Sequence, residues 1–157
     1  MTTKKIEPRK EIDMFGNEVW YDENGKVIHK KWSDGIEFWF DENEKVIHAK
    51  WSNGDERWFD EKGKIIHAKY ANGTEFWFDG NDKVIHSKCS NGTEIWYEYN
   101  EKDNIIHKKY SDGDERWCDK KGNLIHEKCS NGYEFWYKEN GKEITEAEFN
   151  KIWEKIQ

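Results

Sequence analysis

Six histidines, His29, His48, His67, His86, His107 and His126, recur along the chain, each preceded by isoleucine and followed two residues later by lysine. Seven tryptophans, Trp20, Trp39, Trp58, Trp77, Trp96, Trp117 and Trp136, keep the same interval of 19 residues with one step of 21, and a glutamate stands two residues before each. Imidazoles among carboxylates supply general acid–base chemistry, metal ligands or a pH switch. Catalysis, however, needs a few groups singled out by environments that separate their proton affinities. Here each histidine is a copy of the next. The chain carries no phosphate-cradling glycine loop, zinc-protease helix or nucleophile elbow, and its Asp-Glu-Asn-Gly turns lack the ligand spacing and glutamate clamp of a calcium loop. The expectation is a protein that is not an enzyme and uses no cofactor or metal.

The elements that position these residues follow from the repeat. The unit reads Gly-x-Glu-x-Trp-aromatic-Asp, a polar turn, then Val/Ile-Ile-His-x-Lys-Trp/Tyr/Cys-Ser-Asn/Asp. Both arms are rich in β-branched and aromatic residues and both joints carry turn residues, so each unit is a β-hairpin. Side chains alternate faces with period two, so an odd period requires one even and one odd turn. A two-residue Asn24-Gly25 turn and a three-residue Ser52-Asn53-Gly54 loop meet that condition. This register sets His48 between Trp39 and Trp58, and Lys50 between Glu37 and Glu56, on one face. The other face pairs Phe40 and Phe59 with Ile47, places Phe38 and Arg57 beside Ala49, and sets Trp51 between Ile36 and Asp55. The fifth unit, whose turn YEYNEKDN is two residues longer, preserves parity.

The series Trp39, His48, Trp58, His67, Trp77 and His86 then reads as a structural ladder. Aromatic pairs contribute about 0.5–1.5 kcal/mol each and cross-strand Glu/Lys pairs about 0.2–1 kcal/mol. The functional alternatives are a pH sensor, through protonated imidazole on indole, or a metal ladder. Histidines of neighbouring units, about 9.5 Å apart in a flat meander, are too distant to share one ion. Partner-binding candidates are Arg57 and Arg116, which interrupt a column otherwise occupied by Val19, Phe38, Phe76, Ile95 and Phe135. Arginine and aromatics are favoured in binding hot spots; the competing reading is local pairing, with Arg116 opposite Glu127 and Lys108. Trp32, Trp51, Tyr70 and Tyr110 are further partner-binding candidates: their column, with Cys89 and Cys129, packs as core or forms an exposed aromatic strip.

Among 157 residues, 38% are charged and 34% hydrophobic, a balance offset by ten tryptophans within 16% aromatics. The net charge of −7 argues against nucleic-acid binding and favours a cationic partner. No signal-peptide or membrane-spanning run is present, and three cysteines without Cys-x-x-Cys spacing fit reduced thiols in the cytoplasm. Residues 1–15 are expected to supply a leading strand over Lys5–Phe15, containing Pro8, and residues 16–144 the hairpin array. Residues 145–157 are expected to form a C-terminal amphipathic helix with capping-box spacing at Thr145 and Glu148 and apolar Phe149, Ile152, Trp153 and Ile156. The fold class is all-β: about seven hairpins in an antiparallel meander, curved or superhelical, capped by that helix.

Units such as WYDENGKVIHKK and WFDEKGKIIHAKYANG resemble the YD repeats of RHS proteins and the MORN-variant repeats, over Gly16 to Ile144. The resemblance implies an array like those of immunity proteins in bacterial polymorphic-toxin systems, which bind and block a cognate toxin inside the producing cell. His-x-Lys replaces the usual YD continuation. On this reading the partner is a basic toxin, such as a nuclease, and the mechanism is occlusion. The rival is a carbohydrate or cell-wall binding module, since the rhythm also resembles choline- and glucan-binding repeats; a purely structural or oligomeric scaffold is the third reading.

Overall fold

The computed structural model describes residues 8–153. Fifteen strands form an antiparallel meander in sequence order: β1 (Arg9–Ile12), β2 (Glu18–Tyr21), β3 (Val27–Lys31), β4 (Glu37–Phe40), β5 (Val46–Lys50), β6 (Glu56–Phe59), β7 (Ile65–Lys69), β8 (Glu75–Phe78), β9 (Val84–Lys88), β10 (Glu94–Tyr99), β11 (Ile105–Tyr110), β12 (Glu115–Cys118), β13 (Leu124–Lys128), β14 (Glu134–Tyr137) and β15 (Glu143–Ile144). One helix, α1 (Glu146–Trp153), follows. The all-β class and the meander are those read from the sequence. The chain divides into two compact units, one ending at Lys83 and the other beginning at Val84.

The turn chemistry differs from expectation. Asp22 N–H donates to Lys26 O at 2.8 Å and Gly25 N–H to Asp22 O at 3.2 Å, so this loop encloses three residues, not the two expected at Asn24-Gly25. The Trp32–Ile36 loop has the same form, with 2.8 and 2.9 Å bonds. Gly25 and Gly35 take φ of 82° and 90°, a conformation that costs glycine little. Asp22 explains the longer loop: its Oδ1 accepts the N–H groups of both Asn24 and Lys26, at 2.9 and 2.8 Å.

Two odd loops leave one residue over, and a β-bulge absorbs it. Trp39 lies opposite His48 and Phe40 opposite Val46, which leaves Ile47 without a cross-strand partner. Identical shifts occur after Trp20, Trp58 and Trp117. The expected pairing of Phe40 with Ile47 is thus replaced by Phe40 with Val46. The bulged Ile47 and Ile66 are exposed.

Strands of the first unit pack, among the described residues, chiefly on their sequence neighbours, and in the second unit α1 adds packing on β14. Among the described residues, only Ala49, Ala68, Ser87 and Ile144 are buried. The reason is local. Ala49 lies between Phe38 and Arg57, and Ala68 between Arg57 and Phe76, so long side chains lean over small ones on the same strip. Cohesion is a sum of nearest-neighbour contacts, as in repeat arrays generally.

The ends follow the sequence in part. β1 begins at Arg9; Lys5–Glu7 lie outside the described residues, as do residues 154–157 with Ile156. Thr145 caps α1 reciprocally with Glu148: Glu148 N–H donates to Thr145 Oγ1 at 3.3 Å, and Thr145 N–H to Glu148 Oε2 at 3.0 Å.

Candidate functional site

Period-two alternation delivers Trp, His, Glu and Lys to one face. In the first unit the rings Trp20, His29, Trp39, His48, Trp58, His67 and Trp77 stack in series with centroids 4.2 to 4.5 Å apart. This order is the one the register predicts. One partnership is additional: each histidine's Nε2 lies 2.9–3.0 Å from the glutamate eight residues on, from His29 with Glu37 to His126 with Glu134. The sequence reading assigned those glutamates to lysines. The Cα register agrees, with Lys50 facing Glu37 and Glu56, and Lys31 Nζ lies 3.4 Å from Glu37. The shorter contact is the diagonal one to imidazole, where a flat ring held by two indoles points its nitrogen along the strand. A donating Nε2–H leaves Nδ1 as acceptor in the neutral tautomer. Burial holds His29 below its ordinary proton affinity, outweighing the Glu37 carboxylate that pulls the other way.

The opposite face carries the arginines. Arg57 sits in β6 between Ala49 and Ala68, with its guanidinium carbon 4.9 Å from the centroid of Trp51. Arg116 faces Lys108 and Glu127, as the register predicts. Its Nε donates to Glu127 Oε1 at 2.6 Å, and its guanidinium lies 5.2 Å from the Tyr110 ring centroid. The Glu127 carboxylate raises its proton affinity further. Arg116 is therefore locally paired, whereas Arg57 has an aromatic rest. Trp32 and Tyr70 are each 37% exposed and meet Phe38 and Phe76 edge-on at 5.1 and 6.0 Å; Trp51 and Tyr110 are half-buried. That column is a partly open aromatic strip rather than a core. Cys89, Cys118 and Cys129 are free and half-buried, and burial raises the proton affinity of the Cys118 and Cys129 thiols.

In the second unit the ladder is interrupted. His86 stacks on Trp96 at 4.8 Å, and Trp117 takes His107 and His126 at 4.8 and 4.5 Å. Between them, Trp96 faces Lys109 and Glu98 faces His107. The two extra residues preserve parity, as expected, but they slide the pairing by two positions.

No family model matches the chain, and no curated protein matches it by sequence. Among solved structures, the TCP10c domain of Drosophila melanogaster Sas-4 is similar at 18% identity and a TM-score of 0.59, over 87% of this chain and 96% of that one. The microcephaly protein CPAP G-box domain is similar at 13% identity and a TM-score of 0.52, over 89% and 98%. These similarities concern the fold: a meander of hairpins that stands as a sheet.

Proposed function

We propose that the array is a protein-docking surface, and that its role is inhibition: it binds and occludes a cognate toxin, without covalent chemistry. The observation that carries the docking reading is the arginine face. Phe38, Phe76, Trp32 and Tyr70 form half-open aromatic rows around Arg57 with no second layer over them among the described residues of the first unit. Such a strip, rich in aromatics and arginine, is the composition of an interface core. The net charge of −7 favours a basic partner by steering its approach. The inhibitor role and its setting inside the producing cell rest on the repeat resemblance, and occlusion accords with a ladder whose histidines are committed to glutamates.

The glycan reading requires open indole faces. Trp39 and Trp58 carry an imidazole on both faces, which argues against stacking on sugars there. The deciding experiment is capture from native lysate by the tagged chain, with Arg57→Ala/Arg116→Ala alongside. A single basic toxin, inhibited by the chain and held less tightly by the double variant, supports the proposal; retention on a glycan resin with no protein captured refutes it.

A further inference from the structure

The interruption at Trp96 singles out one position in an otherwise repetitive face. Trp96 is 41% exposed, whereas Trp20, Trp39, Trp58, Trp77, Trp117 and Trp136 are all half-buried. The neighbours explain the difference. Trp39, Trp58 and Trp117 have histidines on both ring faces, and Trp20 has His29 on one and Lys10 on the other. Trp136 has His126 on one side and the buried Ile144 opposite on the other. Trp96 has His86 on one side; on the other stands Lys109, exposed, with no cation or ring over the indole among the described residues. One indole face is open.

Two carboxylates flank it. Glu94 and Glu98 lie on the same face of β10, each two residues from Trp96 and so about 6.6 Å along the strand. Glu94 is bonded to His86 at 2.9 Å, while the Glu98 side chain is 68% exposed and, among the described residues, pairs with His107 Nδ1 at 3.4 Å. The same sheet shows what such a place accepts. Where β1 presents Lys10 instead of histidine to Trp20, the ammonium lies 4.9 Å from the ring centroid and 2.9 Å from Glu18.

We infer that the open face of Trp96, with Glu98 beside it, is the docking point for an arginine side chain of a protein partner. This inference rests on the docking reading above and adds to it a second anchor, on the ladder face. A guanidinium stacks flat on indole and offers a carboxylate a planar fork of edge N–H groups, where an ammonium such as that of Lys10 meets both as a point charge. Around this slot the carboxylates Glu94, Glu98 and Glu115 outnumber the ammonium groups Lys88 and Lys109. The two-residue insertion in the β10–β11 hairpin is what leaves the slot without a ring.

The test is a titration of the isotope-labelled full chain with a hexaarginine peptide, following the indole N–H resonances. The Trp96 resonance should move first. Glu98→Gln, which removes an exposed ion pair, should weaken binding by about threefold. Lys109→His, which supplies the missing ring, should block the shift while the chain stays as stable as wild type. Shifts spread over the acidic loops without preference for Trp96, or equal affinity in both variants, would overturn the inference. So would maltoheptaose moving the Trp96 resonance where hexaarginine does not. In the lysate capture, a partner held equally by Lys109→His removes this slot but leaves the docking reading intact. Recovery of no partner removes that reading, and the peptide titration still decides the slot.

Discussion

His67→Ala removes one rung from the middle of the first unit. His67 stacks on Trp58 at 4.4 Å and on Trp77 at 4.5 Å, and its Nε2 lies 3.0 Å from Glu75. Two ring pairs at about 0.5–1.5 kcal/mol each are lost. The bond to a charged acceptor adds about 1.5 kcal/mol, the low end of its range, because Glu75 keeps contact with water. The total is about 2.5–4.5 kcal/mol, which for a chain of this size lowers Tm by roughly 5–18 °C. Scanning calorimetry reads the shift, and two further variants divide it. His67→Phe keeps the stack and loses the bond, so it should recover most of the Tm; His67→Gln keeps a donor and loses the stack, so it should recover little. A Tm unchanged in His67→Ala would refute the structural reading of the ladder. Equal losses in the alanine and phenylalanine variants would refute the weight given to the rings.

Four other outcomes are expected. Glu44 holds φ of 60°, where Gly25, Gly63, Gly122 and Gly141 stand in the equivalent loops and Asp82 and Asp103 share its strain, so Glu44→Gly should stabilise by about 0.5–1 kcal/mol in urea titration. Backbone N–H bonds from Lys45, with a second from Asn43, hold the Asp41 carboxyl below the ordinary carboxylate range. Its contribution is present above that range and lost as pH falls through the lower folded value, so Asp41→Asn, which keeps the acceptor, should flatten the acid limb of the stability curve. The lowered affinity of His29, caused by burial against the opposing pull of Glu37, means that the unfolded chain takes its proton first. Stability should decline as pH falls below about 6.5, and His29→Phe should reduce that slope. Thr145→Ala should cost α1 about 1 kcal/mol, read as faster amide exchange over Glu146–Trp153.

Legibility followed the constraint each residue is under. The ladder order was readable because a fixed period and strict alternation leave a single face for Trp39, His48 and Trp58. The cap at Thr145 was readable because both of its partners are local. Loop length was not: Asn24-Gly25 has the composition of a two-residue turn, and the deciding bonds come from the Asp22 carboxylate one residue earlier. The doublet Val46-Ile47 was the available signal, since two apolar residues in a row within an alternating strand mark a bulge. Glu37 was paired with lysine because cross-strand reasoning considers directly opposed residues, whereas the imidazole reaches diagonally. At Trp96 parity was correctly preserved, but parity fixes only the face and not which rung meets which.

The bulge beside the loops that begin at Asp22, Asp41, Asp60 and Asp119 also makes the array a counting device. Two identical three-residue loops restore strand direction, and the single unpaired isoleucine corrects the face, so every junction leaves the chain in the state it entered. Whole units can be duplicated or excised, as from Val46 to Lys64, without altering any surviving contact type. Loss of one residue from a strand would turn every ring beyond it to the other side. Chain length in this architecture is therefore inherited in steps of one unit, and an insertion of two, as in the β10–β11 hairpin, is the smallest edit that changes a single rung and spares the rest.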